Sequence, residues 1–482
     1  MWIKYFMSES RRFSKETSVY VVGEFLSKAM GFILIPLYTR YLSVEQMAFL
    51  AMVIMLWPVV MILIGQGFGS YIIRGYFEHS DKKGFVSTIL PFAMISGILV
   101  AGVLHAAGPR ACSLIFKEMA YKPFLQYSVY FAVFRLYFVL IHSVFQAKRQ
   151  PKTVVLLTIV FFGSQLVAVL SAIFLFHASL LGILNAQLIG YVFASVVYTF
   201  QIRHEIGGRF QPALLKPSIL FSLPLLPHAI SAWVIGYISR IFIERTMSIE
   251  DLAVYSVAMQ LTLILSIINN GLNRSWSPFV YQNYQTPDFE DLFVISARKV
   301  IVFVMLLGTL LSLFSRELLL LMGKTVYLEA ESLFPILLAS FLFQMLYYIH
   351  TSIIICHNKT KLLPVITISS SLISIGLNII LVSKMGMYGA ALATAISYLI
   401  MSSLSKNFAN KFFHYRLINW KLCVFTALIL IALVCSNVFF NSLSWIGHSA
   451  SGLLIMGLLI FSLERLRLFR IQDVLSLIKV KS

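Results

Sequence analysis

Charge is scarce in this chain. Asp, Glu, Lys and Arg make up 12% of its 482 residues, about half the charged fraction of an ordinary soluble domain. That shortage excludes an ordinary water-soluble globule. Cysteine is scarce too. Cys112, Cys356, Cys423 and Cys435 lie far apart, with no CxxC pair and no histidine at partner spacing, which argues against a disulfide framework or a thiolate metal site. Catalytic signatures are missing: there is no HExxH, no nucleophile elbow and no well-placed pair of carboxylates. Gly323-Lys324-Thr325 resembles the end of a P-loop, but Leu318 stands where its first glycine belongs. Gly65-x-Gly67-x-Gly69 runs into Ser70, so the dinucleotide fingerprint fails as well. No polar loop reaches the length of a folded soluble domain.

What the chain has is apolar sequence. Hydrophobic residues fill 59% of it. Uncharged runs recur at 17–41, 46–69, 84–106, 122–146, 153–176, 179–201, 217–240, 250–273, 299–315, 333–356, 362–383, 387–409, 421–440 and 443–463. Each is near the ~20 residues that a bilayer core demands. The pattern predicts an all-α integral membrane protein of about fourteen transmembrane helices. The shortest connections are at His177 and Asn441. The run after Lys15 is too long for a signal-peptide core and has no small-x-small site after it, so a retained first span is expected.

The charges that exist are mostly positive, with a net +19. If the N-terminus is cytoplasmic and the spans alternate, twenty-seven of the 38 Lys and Arg residues fall on the cytoplasmic side. Nine fall outside: Arg40, Arg110, Lys117, Lys122, Arg240, Arg245, Arg316, Lys324 and Lys384. Lys28 and Arg135 remain inside spans. This is the positive-inside bias of a chain with both termini in the cytoplasm. The basic excess therefore reads as topology and contact with anionic membrane lipids, not as nucleic-acid binding.

Two internal matches lie at nearly one offset, 205 and 207 residues. Arg40-Tyr-Leu-Ser-Val-Glu-Gln-Met-Ala48 parallels Arg245-Thr-Met-Ser-Ile-Glu-Asp-Leu-Ala253. Gly182, Ala186, Ile189 and Tyr191 parallel Gly389, Ala393, Ile396 and Tyr398. Six spans separate the copies, so the repeat is parallel. It predicts two parallel six-helix lobes, 1–210 and 211–410, with helices 13 and 14 and a tail appended over 411–482. Such lobes imply a cavity near the midplane and alternating access around it.

Charge inside a membrane is costly and marks candidate sites. Arg135 lies roughly 18 Å from either end of its span at 1.5 Å per residue, on one face with Phe131, Phe138 and His142. Its guanidinium suits a phosphate or carboxylate in a bidentate fork; the competing reading is a packing arginine. Glu24 and Lys28, one turn apart in the first span, read either as an internal ion pair or as an ion-coupling carboxylate beside a substrate-binding cation. Asn269, Asn270, Asn273 and Arg274 form either an inner cavity mouth or a solvated helix end. The stripe Tyr127, Tyr130, Phe134 and Tyr137 fits helix packing better than a sugar platform. His228 and His350 read as histidines satisfied by neighbours.

Four features resemble the polysaccharide transporter family, the O-antigen-type flippases of the multidrug/oligosaccharidyl-lipid/polysaccharide superfamily. They are Gly23-x-x-x-Ser27-Lys28, Ile35-Pro-Leu-Tyr-Thr-Arg-Tyr-Leu-Ser43, Gly386-Met-Tyr-Gly-Ala-Ala-Leu-Ala-Thr-Ala-Ile-Ser-Tyr398 and the 6+6+2 helix plan. Gln46-Met47 departs from the Glu-Tyr-Gly commoner there. The resemblance covers essentially the whole chain. It implies a MATE-like fold in a bacterial cytoplasmic membrane and no enzymatic activity. The implied function is a flippase moving an undecaprenyl-pyrophosphate-linked oligosaccharide to the periplasmic leaflet. It implies Lys28, Arg135, His142 and Arg274 around the anionic head group, and Glu24 in H+ or Na+ coupling. No cofactor or metal is expected, and other polysaccharide-assembly membrane proteins are expected partners. Competing readings are a drug/cation antiporter, a lipid II flippase and, in another class, a membrane polysaccharide polymerase. The polymerase would need a large outer loop that this sequence does not have.

Overall fold

The computed structural model describes residues 33–436 and 445–466. Among the described residues every regular element is helical. Eleven helices are long and apolar enough to cross a membrane, and Trp420–Val434 is a shorter apolar one. The protein is a multi-pass membrane protein. Of the first expected span only the helical stretch 33–41 is described.

The chain begins with α1 (Val44–Gly65), α2 (Phe68–Glu78), α3 (Lys82–Ile115), α4 (Tyr127–Ala147), α5 (Pro151–Phe174) and α6 (Leu180–Ile202). It continues through α7 (Leu215–Ser222), α8 (Leu226–Thr246), α9 (Ile249–Asn283), α10 (Phe289–Leu313), α11 (Phe334–Cys356) and α12 (Leu362–Ala409). The last helices are α13 (Trp420–Cys435) and α14 (Trp445–Leu466).

Local chemistry explains the first sequence repeat. Ser43 caps α1: its hydroxyl accepts from Gln46 N at 3.0 Å, and Gln46 Oε1 accepts from Ser43 N at 3.1 Å. At the start of α9, Ser248 and Asp251 make the same reciprocal pair at 3.1 Å each way. Both copies of the motif are capping boxes, satisfying amide donors where one span ends and the next begins.

Two breaks fix the path of the chain. Gln66 and Gly67 adopt left-handed backbone at φ 46° and 79°, ending α1 and starting α2. A side chain at Gly67 would lie 3.1 Å from the carbonyl of Ser222, so α7 passes close to that turn. The decoy glycine motif is thus a helix break. In α12, Gly386 stands at φ 56°, ψ −133°. A Cβ on Gly389 would lie 2.0 Å from the Leu381 carbonyl oxygen, although eight residues of straight helix would hold these positions ~12 Å apart. The chain therefore reverses at Gly386, and α12 supplies both spans expected at 362–383 and 387–409.

Packing divides the chain into Met1–Ala253 and Val254–Ser482. The first unit includes α8, the seventh expected span. Trp233 of α8 donates to the carbonyl of Met55 in α1 at 2.9 Å. Arg240, counted above among outer-side charges, is 3% exposed, with its guanidinium 5.2 Å from the Tyr237 ring. It is a buried charge of α8 and no loop residue.

Candidate functional site

In the first unit, α4 carries Arg135 into a cage of rings. The guanidinium carbon lies 4.6 Å from the Trp57 ring of α1 and 5.0 Å from both Phe161 and Phe162 of α5. Cation–π contact is worth ~2 kcal/mol or more at a desolvated site. Three rings therefore offset much of the cost of holding a cation at this depth without a counter-ion. No carboxylate pairs with Arg135 among the described residues, and its Nε is buried with no hydrogen-bond partner. Tyr191 and Tyr198 of α6 lie close enough to interact with its charge.

The cage determines what the guanidinium can do. Rings crowd the guanidinium carbon at 4.6 and 5.0 Å, so its remaining capacity is its N–H groups, which lie in the guanidinium plane. Such a planar fork can hold two oxygens of one phosphate or carboxylate.

His142 lies two turns along α4. It stacks on Phe138 at 4.0 Å and meets the Tyr198 hydroxyl at 3.3 Å; that hydroxyl also donates to Leu157 O at 2.7 Å. Phe138 packs on Phe161 at 4.2 Å. His142 is thus joined to the cage through rings. The tyrosine stripe of α4 packs as expected: Tyr130 stacks on His105, Phe134 stacks on Tyr191, and Tyr137 bonds Thr199 at 2.7 Å.

In the second unit, Arg274 is exposed on α9. The asparagines before it divide between two roles. Asn269 is fully buried, donating to Phe341 O at 2.6 Å and facing Gln344 Oε1 at 3.4 Å. Gln344 in turn donates to Tyr398 at 3.4 Å. Asn270 is half-buried and accepts from Tyr348 at 3.1 Å. His350 is buried and shares a 2.6 Å hydrogen bond with Tyr415. Burial raises the Tyr415 phenol above its ordinary pKa, so it stays protonated for that bond.

The structure thus gathers Arg135 and His142 in one aromatic framework and places Arg274 in the other unit. Glu24 and Lys28 lie outside the described residues. Trp57, Phe161, Phe162 and Tyr191 were not singled out as site residues by sequence. Only Tyr191 carried a signal, as the end of the second repeat match. Among the described residues no group of three or more His, Cys, Asp and Glu could hold a metal.

Comparison with known proteins gives this geometry a context. The chain is 26% identical over 286 residues to the Lsg locus putative protein 1 of Haemophilus influenzae, covering 56% of this chain and 66% of that protein. It is 23% identical over 253 residues to a putative O-antigen transporter of Shigella flexneri, covering 49% and 58%. The chain thus aligns with less than two thirds of either relative. Among solved structures, the lipid II flippase MurJ in an inward closed conformation superposes with a TM-score of 0.74 at 15% identity. That likeness covers 93% of this chain and 98% of the flippase, and it establishes a shared fold. The MatE profile matches residues 224–380, placing the same architecture across the second half of the repeat. The profile of the polysaccharide biosynthesis protein family matches residues 13–283, more than half of the chain, and the protein belongs to that family.

Proposed function

We propose that the protein is a flippase that carries a lipid-linked oligosaccharide across the bacterial cytoplasmic membrane. The proposed cargo is an undecaprenyl-pyrophosphate-linked repeat unit, moved by alternating access from the cytoplasmic to the periplasmic leaflet. The observation that carries this reading is Arg135, a cation enclosed by Trp57, Phe161 and Phe162 and without a carboxylate partner among the described residues. A lipid-linked sugar can leave its tail in the bilayer, but its anionic head needs replacement contacts to cross. An in-plane guanidinium fork supplies them to a phosphate, and aromatic walls suit the faces of sugar rings. The family and the transporter and flippase names of its relatives support transport over catalysis. In this reading both termini are cytoplasmic, and Lys28 and Arg274 add positive charge along the path. His142 supports the cage, and Glu24 couples transport to H+ or Na+. Other membrane proteins of polysaccharide assembly supply and consume the cargo. A drug/cation antiporter would instead need carboxylates facing its cargo, the opposite of the charge held here.

The test is deletion of the gene, followed by assay of surface polysaccharide and of the leaflet holding the lipid-linked units. Complete units trapped on the cytoplasmic face support the proposal. Units reaching the periplasm unpolymerised would point to a polymerase. A normal surface with new drug sensitivity would point to an antiporter.

A further inference from the structure

The last turn of α8 closes on the loop after α3. Glu244 is 1% exposed, and its carboxylate collects three successive backbone amides. Lys117 N lies 3.0 Å from both oxygens, Glu118 N lies 2.8 Å and Met119 N 3.1 Å from Oε1. The next residue, Arg245, donates Nη1 to the carbonyls of Leu114 at 2.7 Å and Ile115 at 3.0 Å. These are the carbonyls left open where α3 ends. One acid and one base, adjacent in sequence, thus satisfy the donors and the acceptors of the same loop. The other charged side chains here are Arg240, buried one turn earlier, and Lys117 and Glu118, both exposed.

Arg245 belongs to the repeated capping motif, and the repeat assigns α8 to the second half of the chain. Packing nevertheless holds α8 on the first unit, at Trp233 in its middle and at Glu244 and Arg245 at its end. In the alternating-access reading proposed above, a helix assigned by the repeat to one half and packed against the other is an element whose attachment changes.

We propose that Glu244 and Arg245 form a latch holding α8 to the 114–119 loop in the state described here, and that this latch opens during each transport cycle. Glu244 is then a positioning residue: it touches no cargo and sets where α8 stands. The latch rests on the alternating-access reading above but on no particular cargo. In the proposed orientation it closes the periplasmic end.

The test uses the full chain in proteoliposomes, with the four native cysteines replaced and Met119→Cys introduced. Met119 is 3% exposed, so a charged maleimide should react slowly while the latch is shut. Glu244→Ala should raise the labelling rate about tenfold or more, the effect of removing one hydrogen bond to a charged group from the closed state, and should slow transport. Arg245→Ala, at an exposed position, should raise labelling by a smaller factor. If Glu244→Ala does not accumulate, Glu244→Gln and Arg245→Ala give the same reading. Parental labelling and parental transport in every variant that accumulates overturns the latch. Faster labelling with transport indifferent to Arg135→Ala keeps the latch and removes the cargo assignment instead.

Discussion

The two units set repeat counterparts among different kinds of polar group. Tyr191 in the first and Tyr398 in the second are repeat counterparts. Tyr191 lies beside a guanidinium ringed by aromatics, whereas Tyr398 accepts from Gln344, which faces Asn269. Amide and hydroxyl groups in the second unit bond one another, as Asn269, Gln344 and Tyr398 do, which fastens helices inside a bilayer, although Asn269 Oδ1 keeps no partner. The guanidinium in the first unit keeps an unpaired Nε and, among the described residues, no carboxylate partner. The contrast is one of charge: neutral side chains bonded within their own unit against a cation that can receive an anion. In the proposed function a duplicated scaffold is structural in one copy and cargo-facing in the other.

The largest effect should come from reversing that division. Arg135→Ala removes an in-plane fork whose hydrogen bonds are worth ~1.5–3 kcal/mol each. Transport should fall about a hundredfold or more, with abundance in the membrane little changed. Arg135→Lys keeps the charge and loses the fork, so it should retain part of the activity. In the second unit, Asn269→Ala should do the opposite. It leaves Gln344 under-satisfied, at a cost of ~1–3 kcal/mol, and should lower the thermal aggregation midpoint while transport per folded molecule persists. If Asn269→Ala abolishes transport in protein of normal stability, the division between cargo-facing and fastening polarity is wrong.

A second pair of counterparts sharpens the comparison at the backbone. Gly182 and Gly389 occupy the same repeat position. At Gly389 a methyl group would sit 2.0 Å from the carbonyl oxygen of Leu381, a rigid backbone atom across the reversal. At Gly182 it would meet the Ala178 side chain at 2.6 Å, on the chain just before α6. Gly389→Ala should cost several kcal/mol and remove most folded protein, in the ~1–3 kcal/mol range of overpacking or above it. Gly182→Ala should cost less, because the connection bearing Ala178 can shift. Quantitative immunoblotting of membranes and a melting series in detergent measure both. Equal losses would mean that the reversal at Gly386 has more slack than its geometry implies.

These pairs show why the sequence was legible in some places and silent in others. The spans were readable because a bilayer demands long apolar runs, and the reversal at Gly386 was readable as the gap between two of them. Arg135 stood out because a charge inside such a run is conspicuous. Trp57, Phe161 and Phe162 did not, because any ring in a membrane helix looks alike until the helices are assembled. The packing of α8 on the first unit was not legible for a related reason: a repeat records descent, and packing is decided by which faces meet. Arg240 looked like a charge near a loop because nothing local marks it as buried, and Glu244 gave no signal because its partners lie in the loop after α3, more than a hundred residues earlier.

The smallest expected effects concern the two histidines, which mirror each other across the units. His350 shares a 2.6 Å bond with Tyr415, and His142 meets Tyr198 at 3.3 Å. In the second unit the pair joins a helix to the loop before α13. Tyr415→Phe should therefore cost ~1 kcal/mol of stability and leave transport per folded molecule unchanged. In the first unit the weaker, longer contact belongs to a tyrosine that also holds Leu157 and lies within reach of the Arg135 charge. Tyr198→Phe should cost a similar ~1 kcal/mol but also lower transport several-fold, because the lost hydroxyl bonds to Leu157 and His142 hold in place the ring on which Phe138 and Phe161 lean. Measuring melting temperature and transport rate on the same two preparations decides the matter. Matching stability losses with unequal transport would confirm that the first unit alone couples its aromatic framework to cargo. Equal transport in both variants would confine the role of the cage to Arg135 and its three nearest rings.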